Sequence, residues 1–402
     1  MRFGLPLCTA AFLVFAPLGL AADPYYPPPD AEGGWRTPAS AEQAPAIAGV
    51  DVGSLDEAFH YARQTSKNGG LLVIRRGWLV YERYFGLAHR DATPNHASIG
   101  KSFTSIAAGI LLGERPDVFP DGLDQKVFRE TYLPPQLFPV DDPRKREIKL
   151  GQLLAMTAGI RGNNPAFVRG EEASLDPPGP DGWEAMVDET AFHVPLWCDP
   201  GDGYSYATAS AQLASMVVRK ASGVELEEYV RRRLAEPMGW GRWGWGYRQR
   251  IREHTPGGGG IAVRPTDLAR FGYLLLHDGR WGDRQLAPAE YVRHCRRPSP
   301  YNPHSSYSLQ FNVNGRGEWP KVPSDAFWKT GSGGFCLYMI PSLDLVVFKM
   351  GGRDDQYDPA NTGLEPALGA PAGEAREDWR PPVDTASDPY ERLLELVLEA
   401  LR

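Results

Sequence analysis

Apolar positions recur along the chain with two different periods, and their order predicts its architecture. The stretch SLDEAFHYARQ reads as a helix capped at Ser54, and GGLLVIRRGWLVYERYFG reads as two strands around a turn at Arg76 and Gly77. In NHASIGKSFTSIAAGILL, residues Phe103, Ile106, Ala107, Ile110 and Leu111 follow the i, i+3, i+4, i+7, i+8 spacing of a helix with one face toward a core. From about 113 to 247 the strand signals fade. There IKLGQLLAMTAG, YATASAQLASMVVRKASG and LEEYVRRRLAEPMG show helical periodicity with glycine at or just past their ends, which predicts a mostly helical lobe. GGGGIAVRPTDLARFGYLLLHDG returns through a glycine turn to another helix. The runs YSLQFNV, AFWKTGSGGFCLYMI and LDLVVFKM read as strands, and PYERLLELVLEALR closes the chain as an amphipathic helix. Strands at both ends with helices between them predict one sheet assembled from the two ends of the chain, an α+β domain over residues 50–402. Residues 23–49, rich in Pro, Gly and Ala, predict an extended lead-in, and 351–388 a long surface excursion.

Composition narrows the class of protein. With 402 residues, 42% apolar and 23% charged, the chain can bury a large core. A net charge of −7, with no Lys/Arg run that resembles a nucleic-acid footprint, argues against nucleic acid as a partner. The run from Phe3 to Ala22 carries no charge, follows one arginine and ends in small residues. It reads as a signal peptide over 1–22, and the expected location is periplasmic or secreted. A membrane anchor is the alternative, although Pro6 and Pro17 interrupt the run, and no later segment is long and apolar enough to span. Without Cys8, the chain keeps Cys198, Cys295 and Cys336, which carry no C-x-x-C spacing. Free, mostly buried thiols are expected, with a Cys198–Cys336 bridge as the alternative.

The chemistry centres on Ser98 and Lys101. Three apart at the head of a helix, they lie on one face within touching distance, and S-x-x-K occurs nowhere else in the chain. Only nine of the 43 basic residues are lysines, so a motif that demands lysine is the more informative. A serine hydroxyl attacks a carbonyl carbon only when a neighbouring base takes its proton, and lysine serves only when neutral. Burial and nearby positive charge both favour the neutral amine. Two further islands matter: PGDGYSYATAS places Tyr206 after a turn and before a helix, and WKTGSGG places Lys329 in a strand. Held between two lysines, Tyr206 is expected to have a lowered phenol pKa and to share the proton traffic, and the residues alone do not choose between Lys101 and Tyr206 as the working base.

In SIGKSFTS, IKLGQLLAMTAGI, PGDGYSYATAS, LAEPMGW, GGGGIAVRPTDLARFG and WKTGSGGF, taken in this order from about Gly53 to Val347, the chain resembles the β-lactamase-related serine hydrolases: class C β-lactamases, D-alanyl-D-alanine carboxypeptidases and similar esterases and amide hydrolases. The resemblance implies a β-lactamase/transpeptidase-like α/β sandwich with an antiparallel sheet. It implies Ser98, Lys101, Tyr206 and Lys329 as catalytic residues, and the backbone N–H groups of Ser98 and Ser332 as the oxyanion hole. Thr208, Trp328, Thr330 and Gly331 are the expected substrate contacts, with the glycines after Thr330 letting substrate lie close to the strand.

One departure stands out. Where the lactamases have an asparagine two residues after the tyrosine, to contact the substrate's acylamide, this chain has Thr208. Hydrolysis of small esters or amides is therefore expected ahead of β-lactamase or carboxypeptidase activity, and a slowly deacylating cell-wall or β-lactam sensor is the reading from another class. Other routes lack their motifs: there is no G-x-S-x-G and no H-E-x-x-H, and the glycines at 257–260 are followed by no phosphate-binding pattern. Asp354, Asp355 and Asp358 read as an exposed acidic loop. No metal or cofactor is expected.

Overall fold

The computed structural model describes residue 1 and residues 25–175, 178–246, 254–365 and 389–402. The expected signal peptide and most of the last part of the expected excursion lie outside the described residues. In chain order, α1 (Leu55–Thr65) precedes a hairpin of β1 (Gly69–Arg75) and β2 (Trp78–Phe85). Arg76 and Gly77 make its turn with φ of 50° and 74°, the two left-handed residues that match a two-residue connection to the twist of the strands. Next come α2 (Gly100–Glu114), three short strands β3 (Ala166–Val168), β4 (Glu171–Ala173) and β5 (Tyr204–Ser205), and the helices α3 (Thr208–Ser222) and α4 (Pro265–Leu276). The strands β6 (Asn312–Val313), β7 (Phe327–Gly331), β8 (Phe335–Ile340) and β9 (Leu345–Met350) follow, and α5 (Pro389–Glu399) comes near the end.

The main sheet has six strands in the order β6-β7-β8-β9-β1-β2, all antiparallel, so the first hairpin docks on the last strand through pairs such as Val73 with Val347. Chain ends meet because β1 and β9 are both buried along their whole length and each needs a partner on either side. One face of the sheet packs on α1 and α5 through Leu55, Phe59, Leu393 and Val397. The other buries Leu72, Phe327, Leu337 and Phe348 with α2 and α4.

Helix α2 is buried from Gly100 through Leu111 on every side, so the apolar stripe read from its sequence marks only part of its packed surface. Phe103 stacks on Phe271 of α4 with ring centroids 3.9 Å apart, and α3 packs against α2 within the lobe. That lobe is not purely helical. β4, β3 and β5 form a small sheet within it, too short for a two-residue alternation to register.

The segment before Val50 is also not an extended lead-in. It contains short helical turns at Asp30–Glu32 and Ala41–Gln43 and the helix Ala44–Ala48. Trp35 is buried with its indole N–H donating to Thr266 O, and Arg270 reaches both Pro28 O and Asp30. Its prolines stop long helices, but they do not stop a strap from packing. Residues 351–365, read as the start of a surface excursion, likewise turn inward, with Gln356, Asn361 and Thr362 buried.

Candidate active site

Ser98 sits in a single 3-10 turn, Ala97–Ile99, that runs directly into α2. Ala97 has φ of 48°, a left-handed conformation that costs a non-glycine residue energy and persists because its surroundings hold it. The surroundings are visible: Asn95 Oδ1 accepts from Ala97 N at 2.9 Å, His96 N donates to Ile261 O, and Gly260 N donates to Ala97 O. Ser98 is thereby presented to a cleft of about 560 Å³.

Lys101, the second residue of α2 and without solvent exposure, donates from Nζ to Ser98 Oγ at 2.8 Å and to Gly258 O at 2.5 Å. Burial lowers its pKa from 10.5 to about 7, with the Asp181 carboxylate acting the other way. Near neutral pH a substantial fraction is therefore free amine, able to accept the Ser98 proton.

Gly258 belongs to the glycine run read from sequence as a turn, and the run does more than turn. A Cβ at Gly100 would lie 2.8 Å from Gly259 Cα, one at Gly257 2.4 Å from Ser215 Cβ, and one at Gly258 2.4 Å from Thr208 Cγ2. Four small residues let a backbone thread between α2 and α3 and present carbonyls to Lys101 and Thr104. A run of glycines announces close approach, but sequence does not say to what.

Lys329 arrives from β7. Strand alternation puts it on the same face as Phe327, where its Nζ donates to Tyr206 Oη at 3.2 Å and to Tyr307 Oη at 2.7 Å. Burial, with the charge of Lys101 adding to it, lowers its pKa well below the ordinary lysine value. Burial is thus the largest cause at both lysines. Tyr206 also departs from expectation. Both amines lie over its ring, at 5.2 Å and 4.9 Å from the centroid. Burial nonetheless raises the phenol pKa, a hydrogen bond with Ser98 lowering it only in part.

Tyr307, which the sequence reading missed, completes this cluster and carries no motif that would have singled it out.

Thr330, Gly331 and Ser332 line the cleft opposite Ser98, as expected. The missing side chain of Gly331 serves packing: a Cβ there would lie 2.2 Å from His96 O, so the glycine lets β7 close against the turn that carries Ser98. Gln356, also missed, links the two halves. Its Nε2 donates to Asn95 O and to Ser332 O, both at 2.9 Å.

Trp328 is not a cleft residue. The alternation that turns Lys329 inward turns Trp328 to the opposite face of the sheet, where it stacks on Trp319 with centroids 3.8 Å apart. Thr208 does face the cleft, and its hydroxyl donates to Asp181 Oδ1 at 3.2 Å.

None of Cys198, Cys295 and Cys336 forms a disulfide among the described residues. Asp354 pairs with Lys67, Asp355 with Arg353, and Asp358 caps a short helix, so these acids are engaged separately. Among the described residues no group of three or more His, Cys, Asp or Glu is arranged to hold a metal ion, and no helix is long and apolar enough to cross a membrane.

A serine paired with a buried lysine at the head of a central helix, facing a Lys-Thr-Gly strand of an antiparallel sheet, defines a serine hydrolase of the β-lactamase/transpeptidase type. The chain belongs to the Beta-lactamase family, whose model matches residues 55–365. Over 208 residues it is 26% identical to the lovastatin esterase of Penicillium rubens, a match over 46% of this chain and 51% of the esterase, so it spans about half the length of that curated relative. Its fold is shared with EstCE1, a hydrolase with promiscuous acyltransferase activity (15% identity, 76% of this chain and 94% of that one, TM-score 0.59). It is also shared with the octameric penicillin-binding protein homologue of Pyrococcus abyssi (18% identity, 77% and 75%, TM-score 0.54).

Proposed function

We propose that this chain hydrolyses small carboxylic esters, and more slowly amides, through an acyl-enzyme on Ser98. The observation that carries the reading is the 2.8 Å contact between Ser98 Oγ and the fully buried Nζ of Lys101, whose pKa near 7 suits a base working at neutral pH. Ser98 Oγ bonds to the carbonyl carbon as its proton passes to Lys101. The carbonyl oxygen takes up the negative charge between the backbone N–H groups of Ser98 and Ser332. Collapse expels the alcohol, which leaves with a proton returned from Lys101 through Tyr206, and water then releases the acid by the same steps in reverse. Lys329, itself held by the Tyr307 hydroxyl, donates to the Tyr206 hydroxyl and keeps it in place.

The lovastatin esterase and the EstCE1 hydrolase support ester chemistry by analogy. Thr208 supports it against lactam turnover, because its hydroxyl is engaged by Asp181 and offers no amide to an acylamide side chain. The test is intact-protein mass spectrometry with a p-nitrophenyl ester and a phosphonate. A phosphonate adduct on the Ser98 peptide, absent in Ser98→Ala, with steady ester turnover beyond one equivalent, is expected. Turnover retained by Ser98→Ala would overturn the mechanism, and one equivalent of product followed by arrest would identify a slowly deacylating sensor.

A further inference from the structure

Asp181 is the one aspartate, glutamate, lysine, arginine or histidine among the described residues that line the cleft. Its carboxylate is oriented, accepting from Thr208 Oγ1 at 3.2 Å and from Asn163 Nδ2 at 2.6 Å, and no lysine, arginine or histidine among the described residues is paired with it. The walls beside it are aromatic. Phe167 lies 6.3 Å from Tyr204, and Tyr204 and Tyr206 each lie 5.7 Å from Tyr307, centroid to centroid. Ring faces attract cations, and Phe167, Tyr204, Tyr206 and Tyr307 all line the cleft with Asp181. An oriented carboxylate without a basic partner among the described residues, in a cleft with aromatic walls, is the arrangement that recognises an amine or a quaternary ammonium group.

We propose that the cleft selects substrates whose acyl portion carries a positive charge, with Asp181 as the counter-ion that determines this specificity. The charge belongs on the acyl side because Asp181 is anchored to Thr208, the position that in the lactamases holds an asparagine facing the acyl group. Acyl groups ending in a carboxylate are repelled by the same charge. The proposal rests on the acyl-enzyme reading of the site and deepens it by naming the substrate class.

The test compares two p-nitrophenyl esters, that of γ-trimethylammoniobutyrate and that of its uncharged isostere in which tert-butyl replaces trimethylammonium. The quaternary nitrogen keeps its charge at every pH and cannot cyclise onto the ester. Asp181 is exposed, so its pull is partly screened, and a preference in kcat/KM of about three- to tenfold for the cationic ester is expected. Asp181→Asn should remove that preference and Asp181→Glu should keep it. The readout is the ratio of the two esters at one pH, since the Asp181 charge also acts on Lys101 and its loss changes both rates together. A ratio that Asp181→Asn leaves unchanged overturns the proposal. If the wild type turns over neither ester, the acyl-enzyme reading falls, and specificity is then read by calorimetric binding of the two corresponding primary amides to Ser98→Ala. There, tighter binding of the cationic amide that is lost in Ser98→Ala/Asp181→Asn supports the cation site, and equal binding of both amides overturns it.

Discussion

Replacing Lys101 by methionine should destroy activity and, at neutral pH, make the protein more stable. In the unfolded chain the amine holds its proton up to 10.5, whereas in the folded protein burial releases it near 7. Between those values the unfolded state binds more protons, so stability rises with pH through the window. Below about pH 7 both states are protonated, and the full cost of burying the ammonium is present. At about 1.4 kcal/mol per pH unit the whole difference is about 5 kcal/mol, of which about 4 remains at pH 7. Methionine removes that cost but leaves Gly258 O without its donor and Ser98 without its partner, a loss of about 2 kcal/mol. The variant is therefore expected to gain about 2 kcal/mol at pH 7, with the advantage falling by about 1.4 kcal/mol per pH unit and vanishing near pH 9. Urea unfolding of both proteins at pH 6.5, 7.5 and 9, followed by tryptophan fluorescence, measures the difference directly. The same titration should appear as an acid limb near pH 7 in wild-type kcat/KM. A variant less stable than wild type at pH 6.5, or a difference that does not change with pH, would refute the argument that burial holds Lys101 partly neutral.

Gln356→Leu should lower kcat about ten- to a hundredfold with KM within about threefold, because it releases the bridge between Asn95 O and Ser332 O that ties together the two segments proposed to supply the oxyanion donors. Steady-state kinetics with one ester checks this, and a loss confined to KM would point to a substrate contact instead. Trp328→Phe should cost about 1–3 kcal/mol of unfolding free energy through its lost stack on Trp319 and leave KM within about twofold, since its ring lies across the sheet from the cleft. A raised KM at unchanged stability would restore Trp328 to the substrate site.

Much of the site was legible as sequence because its chemistry depends on local spacing. Ser98 and Lys101 meet within one helical turn, so their contact follows from three residues of separation. Lys-Thr-Gly announced its strand, and the hairpin turn at Arg76 and Gly77 was equally local. Which side of that strand reacts was not legible. Trp328 and Lys329 are neighbours in sequence and opposites in space, and only the register of β7 against β8 in a two-faced sheet assigned one to the core under α1 and α5 and the other to Tyr206 and Tyr307 on the opposite face.

The chain by itself determined the main helices and the strands of the large sheet, the pairing of its two ends, and the Ser-Lys pair, whereas the small β4-β3-β5 sheet and the helical turns before Val50 left no periodic signal. Periodicity and short spacings are properties of neighbouring residues, and they survive without a tertiary context. Only the tertiary structure decided what those groups are worth chemically. Tyr307 reaches Lys329 from 22 positions away, Gln356 ties Ser332 to Asn95 across 261, and Asp181 meets Thr208 from a separate loop. The protonation states follow the same rule. Burial, a property of the whole packed core, lowers the pKa of Lys101 and of Lys329 and raises that of Tyr206, against the influence that two charged lysines would exert on the phenol in isolation.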